Sequence, residues 1–230
     1  MYFLSFPAEI RFEIYAELLV QDVPIKFEWR RVSISEFGLI REYVRGRKTL
    51  EPAILRTNRQ VNREAVTFLY SNNRFVFPSI DALDEYSWTE FPHVSRFLRQ
   101  IGANGGLLRH ICLKLPYGDE FSYWAESILH KGQGQDFQLI RQTCTDLRTI
   151  KISADELNKS YFDCDLDRAE KMLRALDDGG FGTMHSLERI VVVIGTCHLS
   201  EDALAYCERL KQRMPSCKWS VELKQARYRW

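Results

Sequence analysis

Five histidines, six cysteines and a handful of acidic pairs are the side chains of this 230-residue chain with the means to do chemistry. His93, His110, His130, His185 and His198 stand singly, none shares a helix face with another at i, i+4, and no H-E-x-x-H occurs, so a helix-borne zinc hydrolase site is not offered. Cys112, Cys144, Cys164, Cys197, Cys207 and Cys217 include no C-x-x-C and read as reduced, buried thiols. Cys197, Cys207 and Cys217 recur at intervals of ten with His198 beside the first, but they fall on different predicted elements, which argues against a shared metal. Cys164 lies in Asp163-Cys-Asp-Leu-Asp167, where neighbouring carboxylates raise a thiol pKa and blunt it as a nucleophile. The pairs Asp119-Glu120, Asp155-Glu156, Asp177-Asp178 and Glu201-Asp202 sit at turns and helix starts, as caps and solvated ends do. Gly102-Ala-Asn-Gly-Gly106 follows a helix and precedes a strand, whereas a phosphate cradle needs strand, loop, then helix N-terminus. No serine occupies a G-x-S-x-G elbow. The expectation is a protein without catalytic residues, metal or cofactor.

Composition points the same way. Hydrophobic content of 45%, charged content of 27% and a net charge of +1 describe an ordinary globule with no global pull toward nucleic acid or membrane. The aromatic share of 13% reads first as large core residues and second as a sticky interface. Charge is uneven, however. Arg30, Arg31, Arg41, Arg45, Arg47, Lys48, Arg56, Arg59 and Arg63 all fall in the first third, interleaved with Trp29 and Tyr43. They could track a phosphate backbone. Glu36, Glu42, Glu51 and Glu64 are interspersed, which favours a solvated arginine face over a nucleic-acid groove. The apolar run Ile190–Ile194 is far too short to cross a bilayer, and no basic leader precedes the N-terminal apolar stretch. Cytoplasm or nucleus is therefore expected. The first motif begins almost at Met1, so Met1 need not be the native start.

The element that organises the chain is a helix expected from Pro7 to about Leu19, with Ser5 as its cap. At about 100° per residue, Glu9, Glu13 and Glu17 share one narrow stripe. Ile10, Phe12, Ile14, Tyr15, Leu18 and Leu19 spread over roughly two thirds of the circumference, broken by Arg11. An apolar arc that wide asks for cover on two sides, one from the protein's own body and one from the same body or from a second protein.

The run Leu4-Ser-Phe-Pro7-Ala-Glu9-Ile10-Arg11…Ile14-Tyr15…Leu18 resembles the first helix of the F-box, L-P-x-E-I-x-x-x-I-x-x-x-L, with Phe6 where leucine usually precedes the proline. A second run, Ile54-Leu-Arg56-Thr57-Asn58-Arg59-Gln60-Val61…Glu64-Ala65…Leu69-Tyr70-Ser-Asn-Asn73-Arg-Phe75-Val-Phe77, is similar to a signature of F-box-like proteins of filamentous fungi. Asn58 stands where cysteine is common there. Together the two runs cover about forty residues. The resemblance implies docking on a Skp-type adaptor of a cullin ubiquitin ligase, with Leu4, Pro7, Ile10, Ile14 and Leu18 at the contact and an unnamed client bound elsewhere.

Along the rest of the chain, Pro24–Ile34 alternates as a strand, with Ile25, Phe27 and Trp29 on one face. Glu36–Arg45 reads as a short helix or an irregular connection. Ile54–Tyr70 is a second helix with Ile54, Val61, Ala65, Phe68 and Leu69 on one face, ended by Asn72-Asn73. Arg74–Phe77 is a strand expected to pair with the earlier one. Short helices are expected near Ser79–Glu90, and at Phe91–Ile101, Phe121–Leu129, Phe137–Cys144, Asp167–Leu176 and Ser200–Met214.

A repeat runs through the second part. Leu108-Arg-His-Ile111-Cys-Leu113 recurs as Leu147-Arg-Thr-Ile150-Lys-Ile152 and as Leu187-Glu-Arg-Ile190-Val-Val192, the isoleucines 39 and 40 residues apart. Lys218–Leu223 adds a fourth alternating strand. The kernel resembles the strand segment of leucine-rich repeats, without the asparagine or cysteine that follows there. Strands separated by helices imply parallel pairing by right-handed crossovers.

The expected fold is α/β, with α+β character at the N-terminus. An F-box-like region with inserted strands spans 1–78, and a leucine-rich-repeat-like body of parallel strands and helices spans 79–230, with one continuous domain across both as the alternative. The expected function is a non-catalytic protein-interaction module, the ligase adaptor implied by the resemblance. The alternatives are a ligase-independent scaffold of a nuclear or chromatin complex that buries the first helix in its own core, and nucleic-acid binding through the arginine cluster.

Overall fold

The computed structural model describes residues 2–30, 39–43, 50–77, 92–115, 135–154, 180–194 and 217–223, together with residues 205, 208, 209, 211 and 212. Residues 205, 208, 209, 211 and 212 are helical, and beside them four helices and seven strands are formed. They are α1 Ala8–Leu19, β1 Ile25–Arg30, β2 Leu39–Tyr43, α2 Arg59–Asn72, β3 Arg74–Phe77, α3 Pro92–Ile101, β4 His110–Leu115, α4 Gln135–Thr143, β5 Thr149–Ala154, β6 Arg189–Ile194 and β7 Lys218–Leu223. One sheet holds every strand, in the order β2-β1-β3-β4-β5-β6-β7. β1 and β2 are antiparallel; every other neighbouring pair is parallel.

This is the α/β stack expected from the repeats. The kernel isoleucines Ile111, Ile150 and Ile190 lie in register across β4, β5 and β6, followed by Trp219 on β7. Two residues along, Leu113, Ile152, Val192 and Val221 form a second row. From Phe75 on β3, the first row extends to Ile25 on β1. Strand order follows chain order from β3 to β7, and the described helices α3 and α4 pack on one side of the sheet. That side is the core. Phe75, Phe77, Ile111, Leu113, Ile150, Ile152, Ile190 and Val192 are buried there with Val94 and Leu98 of α3 and Phe137 and Ile140 of α4. The sheet and this core run without a break past residue 78, since β3 pairs with β4.

Several local expectations are revised. Ser5 does not cap α1. It belongs to a 3-10 turn, Phe3–Ser5, where its hydroxyl donates to the Tyr2 carbonyl (2.6 Å), and Pro7 holds the N-cap position. Glu36–Arg45 is neither helix nor irregular where it is described, because Leu39–Tyr43 is an edge strand hydrogen-bonded to β1. The second helix is divided: Pro52–Arg56 is a 3-10 turn and α2 begins at Arg59, where the Asn58 side chain accepts from the Gln60 N–H (2.7 Å). A side-chain oxygen at that position satisfies an otherwise orphan helix N–H, which is why the break falls at Asn58. Gly102, at φ +54°, ends α3 in the left-handed region that glycine enters without strain. The helices expected near Ser79–Glu90, at Phe121–Leu129 and at Asp167–Leu176 lie outside the described residues, as does most of Ser200–Met214.

Ile150 is wholly buried on an inner strand. Ile150→Ala is expected to lower unfolding free energy by about 2–5 kcal/mol, measured by urea denaturation.

Candidate protein-binding site on the first helix

The side of α1 that faces the protein is narrow. Arg11, Tyr15 and Leu19 recur every fourth residue and are buried. Arg11, an interruption of the apolar arc by sequence, is the centre of a polar lock. Its guanidinium grips Glu64 of α2 with both prongs, Nε to Oε2 at 2.9 Å and Nη2 to Oε1 at 2.7 Å, and its Nη1 donates to the Phe6 carbonyl at 2.6 Å. Glu64 accepts two further bonds, from the Tyr15 hydroxyl (2.9 Å) and the Gln60 amide (3.0 Å). A planar fork on a carboxylate is geometrically exacting, so the pair sets how α1 sits on α2. Around it, the Tyr15 ring meets Phe3, Phe12 and Phe68 at centroid distances of 5.8, 6.3 and 5.8 Å.

The far end of the helix pair is held by Asn73. Its side chain is 1% exposed, donates to the carbonyls of Leu19 (2.6 Å) and Leu69 (2.8 Å), and accepts from the Gln21 N–H (2.8 Å). These are helix-end carbonyls without intrahelical partners, satisfied here by one amide. Sequence alone marked Asn73 as a helix stop and Glu64 as one of several acids among the arginines. Their partners on and just after the first helix lie 49 to 54 positions away, and only the Arg11/Tyr15 spacing of four hinted that both would face one neighbour.

With α1 locked on this side, the five residues that the F-box resemblance placed at a contact fall into two groups. Leu4 and Leu18 are partly buried against the protein's own core. Pro7 and Ile10 are exposed, Ile10 to 42%, and Ile14 is half-buried. On the opposite flank Phe12 is 40% exposed, with its ring 5.4 Å from Phe68. The apolar arc is thus covered over Tyr15, Leu18 and Leu19 and open at Ile10 on one flank and Phe12 on the other.

The arginine cluster is only partly visible. Arg41 is on β2, and Arg45, Arg47 and Lys48 lie outside the described residues. Arg56, Arg59 and Arg63 are exposed on the 3-10 turn and the first turns of α2. Nearby, an apolar cavity of about 330 Å³ lies between α2, α3 and β1, with Arg56 and Asn62 in its lining. The Asn62 amide is already donated to the Leu55 carbonyl (2.7 Å).

Cys144 and Cys217 are buried thiols, and burial pushes them up to about 12 and about 11, so neither is a thiolate near neutral pH. Cys164, Cys197 and Cys207 lie outside the described residues. Among the described residues no group of three or more His, Cys, Asp or Glu could hold a metal ion, and no helix is long and apolar enough to cross a membrane. The chain matches no family model, no curated protein and no solved structure.

The lock has a pH signature. The hydrogen bond from Arg11, then that from Gln60, lowers the Glu64 carboxyl from 4.5 to about 2. Burial, then the bond to Glu64, raises the Tyr15 phenol from 10.0 to about 12. A depressed carboxyl stabilises the fold fully above its unfolded pKa and loses that contribution as pH falls through the folded one. A raised phenol does the reverse, losing its contribution as pH climbs from the unfolded to the folded value. The contribution of these two groups should therefore be flat between about pH 5 and pH 9 with a shoulder on each side. Glu64→Gln should lower the plateau and weaken the acid shoulder, followed by thermal melts across pH. Asn73→Ala leaves two helix-end carbonyls and one N–H unpaired, and should cost about 1–3 kcal/mol in a urea titration.

Proposed function

We propose that this chain is a non-catalytic protein-interaction module whose first helix docks on a Skp-type adaptor of a cullin ubiquitin ligase. The observation that carries the proposal is the open flank at Ile10, on a helix whose other side is held rigidly by the Arg11–Glu64 fork. A preorganised helix loses little conformational freedom on binding, and an aliphatic anchor on it contributes when a partner completes its burial. Ile10 keeps less than half its surface open, so completing its burial is worth on the order of 1 kcal/mol. Pro7, beside it, is also exposed, and Ile14, one turn further along, is half-buried. The F-box resemblance supplies the partner class.

A second reading has its own support. Leu4 and Leu18 pack against the protein's own core. A scaffold unconnected with a ligase, keeping the helix for its own architecture, accounts for those two residues equally well.

The two readings part at Ile10. Ile10→Glu places a carboxylate on an exposed position and should leave the circular dichroism and melting temperature unchanged. If the flank is the docking face, the variant should lose adaptor affinity by at least about tenfold, since an unpaired charge is costly to bury. Equal adaptor capture by the wild type and the variant, or none by either in a purified pull-down, would leave only the scaffold reading.

A further inference from the structure

The parallel strands begin in step, and their first residues align as Arg74, His110, Thr149, Arg189 and Lys218. Alternation puts this row on the face of the sheet opposite the row of Phe75, Ile111, Ile150 and Ile190. One position earlier, a second row follows the same ladder. The N–H groups of Arg148 and Thr149 bond the Arg109 carbonyl, those of Glu188 and Arg189 bond the Arg148 carbonyl, and that of Lys218 bonds the Glu188 carbonyl. The two polar positions of the kernels supply His110, Thr149 and Arg189 of the first row and Arg109, Arg148 and Glu188 of the second, while Arg74 and Lys218 join the first row by strand pairing.

The edge is basic. Arg74, Arg148, Arg189 and Lys218 are exposed, and Arg109 and His110 are partly exposed. Glu188 is the one acid of the two rows, 3.7 Å from Arg148 with both side chains largely solvated, a geometry in which an ion pair holds neither group firmly. The Arg74 guanidinium donates to the Asp22 carbonyl, which neutralises no charge. The charges act on one spot: after burial, Arg74, Arg109 and Arg148 lower the His110 pKa, with Glu188 opposing them. On the same face but further along the strands, Val76, Val191 and Val193 are buried. Exposure is therefore concentrated at the strand starts.

We propose that this strand-start edge binds an extended acidic segment of a partner polypeptide. Four strand intervals span about 19 Å, the length of about six residues of extended chain. Guanidinium forks match carboxylates in two-pronged geometry. Glu188 within the row decides between the two polyanions that compete for such an edge. A nucleic-acid strand carries a phosphate at every step and would set one against Glu188, whereas a polypeptide can place a neutral or basic residue there. Neither row holds a Phe, Tyr or Trp on which bases could stack. The edge shares no residue with the flank of the first helix, so the outcome here is read separately from adaptor docking.

The test is fluorescence anisotropy of the full chain with a labelled peptide of about six residues, mostly Asp and Glu, beside a lysine peptide and a single-stranded oligonucleotide of equal charge. Saturable binding of the acidic peptide that weakens with salt is expected, with no binding of the lysine peptide. Arg148→Glu with Arg189→Glu should weaken it at least tenfold at unchanged melting temperature, and Glu188→Lys should tighten it. No saturable binding at low salt, unchanged affinity in both variants, or an oligonucleotide that binds as tightly as the acidic peptide would each overturn the proposal.

Discussion

The Glu64 carboxylate is the constraint on which the N-terminal half depends. It receives Arg11 through two bonds, Tyr15 through one and Gln60 through one. A partly buried carboxylate is costly to desolvate unless its lone pairs are filled, and here four hydrogen bonds fill them. Because the four groups come from two helices, filling them fixes the rotation of α1 about its own axis. That rotation decides which residues of the helix meet the core and which meet solvent. Tyr15 and Leu19 go in, Ile10 stays out, and Leu18 is caught between. The functional reading of the helix thus follows from a polar contact rather than from the apolar residues that first draw attention to it.

The second half is ordered by a simpler rule. Each kernel of leucine, two polar residues, isoleucine and a further apolar residue makes one strand whose inner face is ready to be covered. Adding parallel strands one after another at the same edge accumulates a continuous apolar layer on one side. What the repeat leaves over is the pair of polar positions, stacked by the same register into rows at the strand starts. The same in-step pairing that builds the core also concentrates like charge at one edge, where solvent screens it. The antiparallel β1–β2 hairpin at the other end of the sheet interrupts that regularity and joins the helix pair to the stack.

Much of this was legible in the residues. The kernel isoleucines align as their recurrence implied, and Arg74–Phe77 pairs with the earlier strand as expected. Helix starts were less legible. Ser5 and Asn58 are both good caps by residue type, yet Asn58 caps α2 while Ser5 turns back on Tyr2. The difference lies in the backbone: Pro7 takes the N-cap position itself, leaving Ser5 two residues too early to reach the first helical N–H groups. The strand Leu39–Tyr43 was missed because its apolar residues do not alternate strictly. Its place comes from the ladder that β1 offers.

The sequence by itself determined the elements that rest on short-range periodicity: an apolar arc on α1, parallel strands from the repeats, and a helix stop at Asn73. Near-neighbour spacing is a local property, and local sterics suffice to express it. Only the tertiary structure decided that Arg11 meets Glu64 across 53 positions and that Asn73 ties the ends of both helices across 54. It alone also ranked Arg74, Arg189 and Lys218 along one edge. Those are encounters between distant segments. Many partners of equal chemistry compete for each of them, and the choice is made by which surfaces the packed core brings within reach.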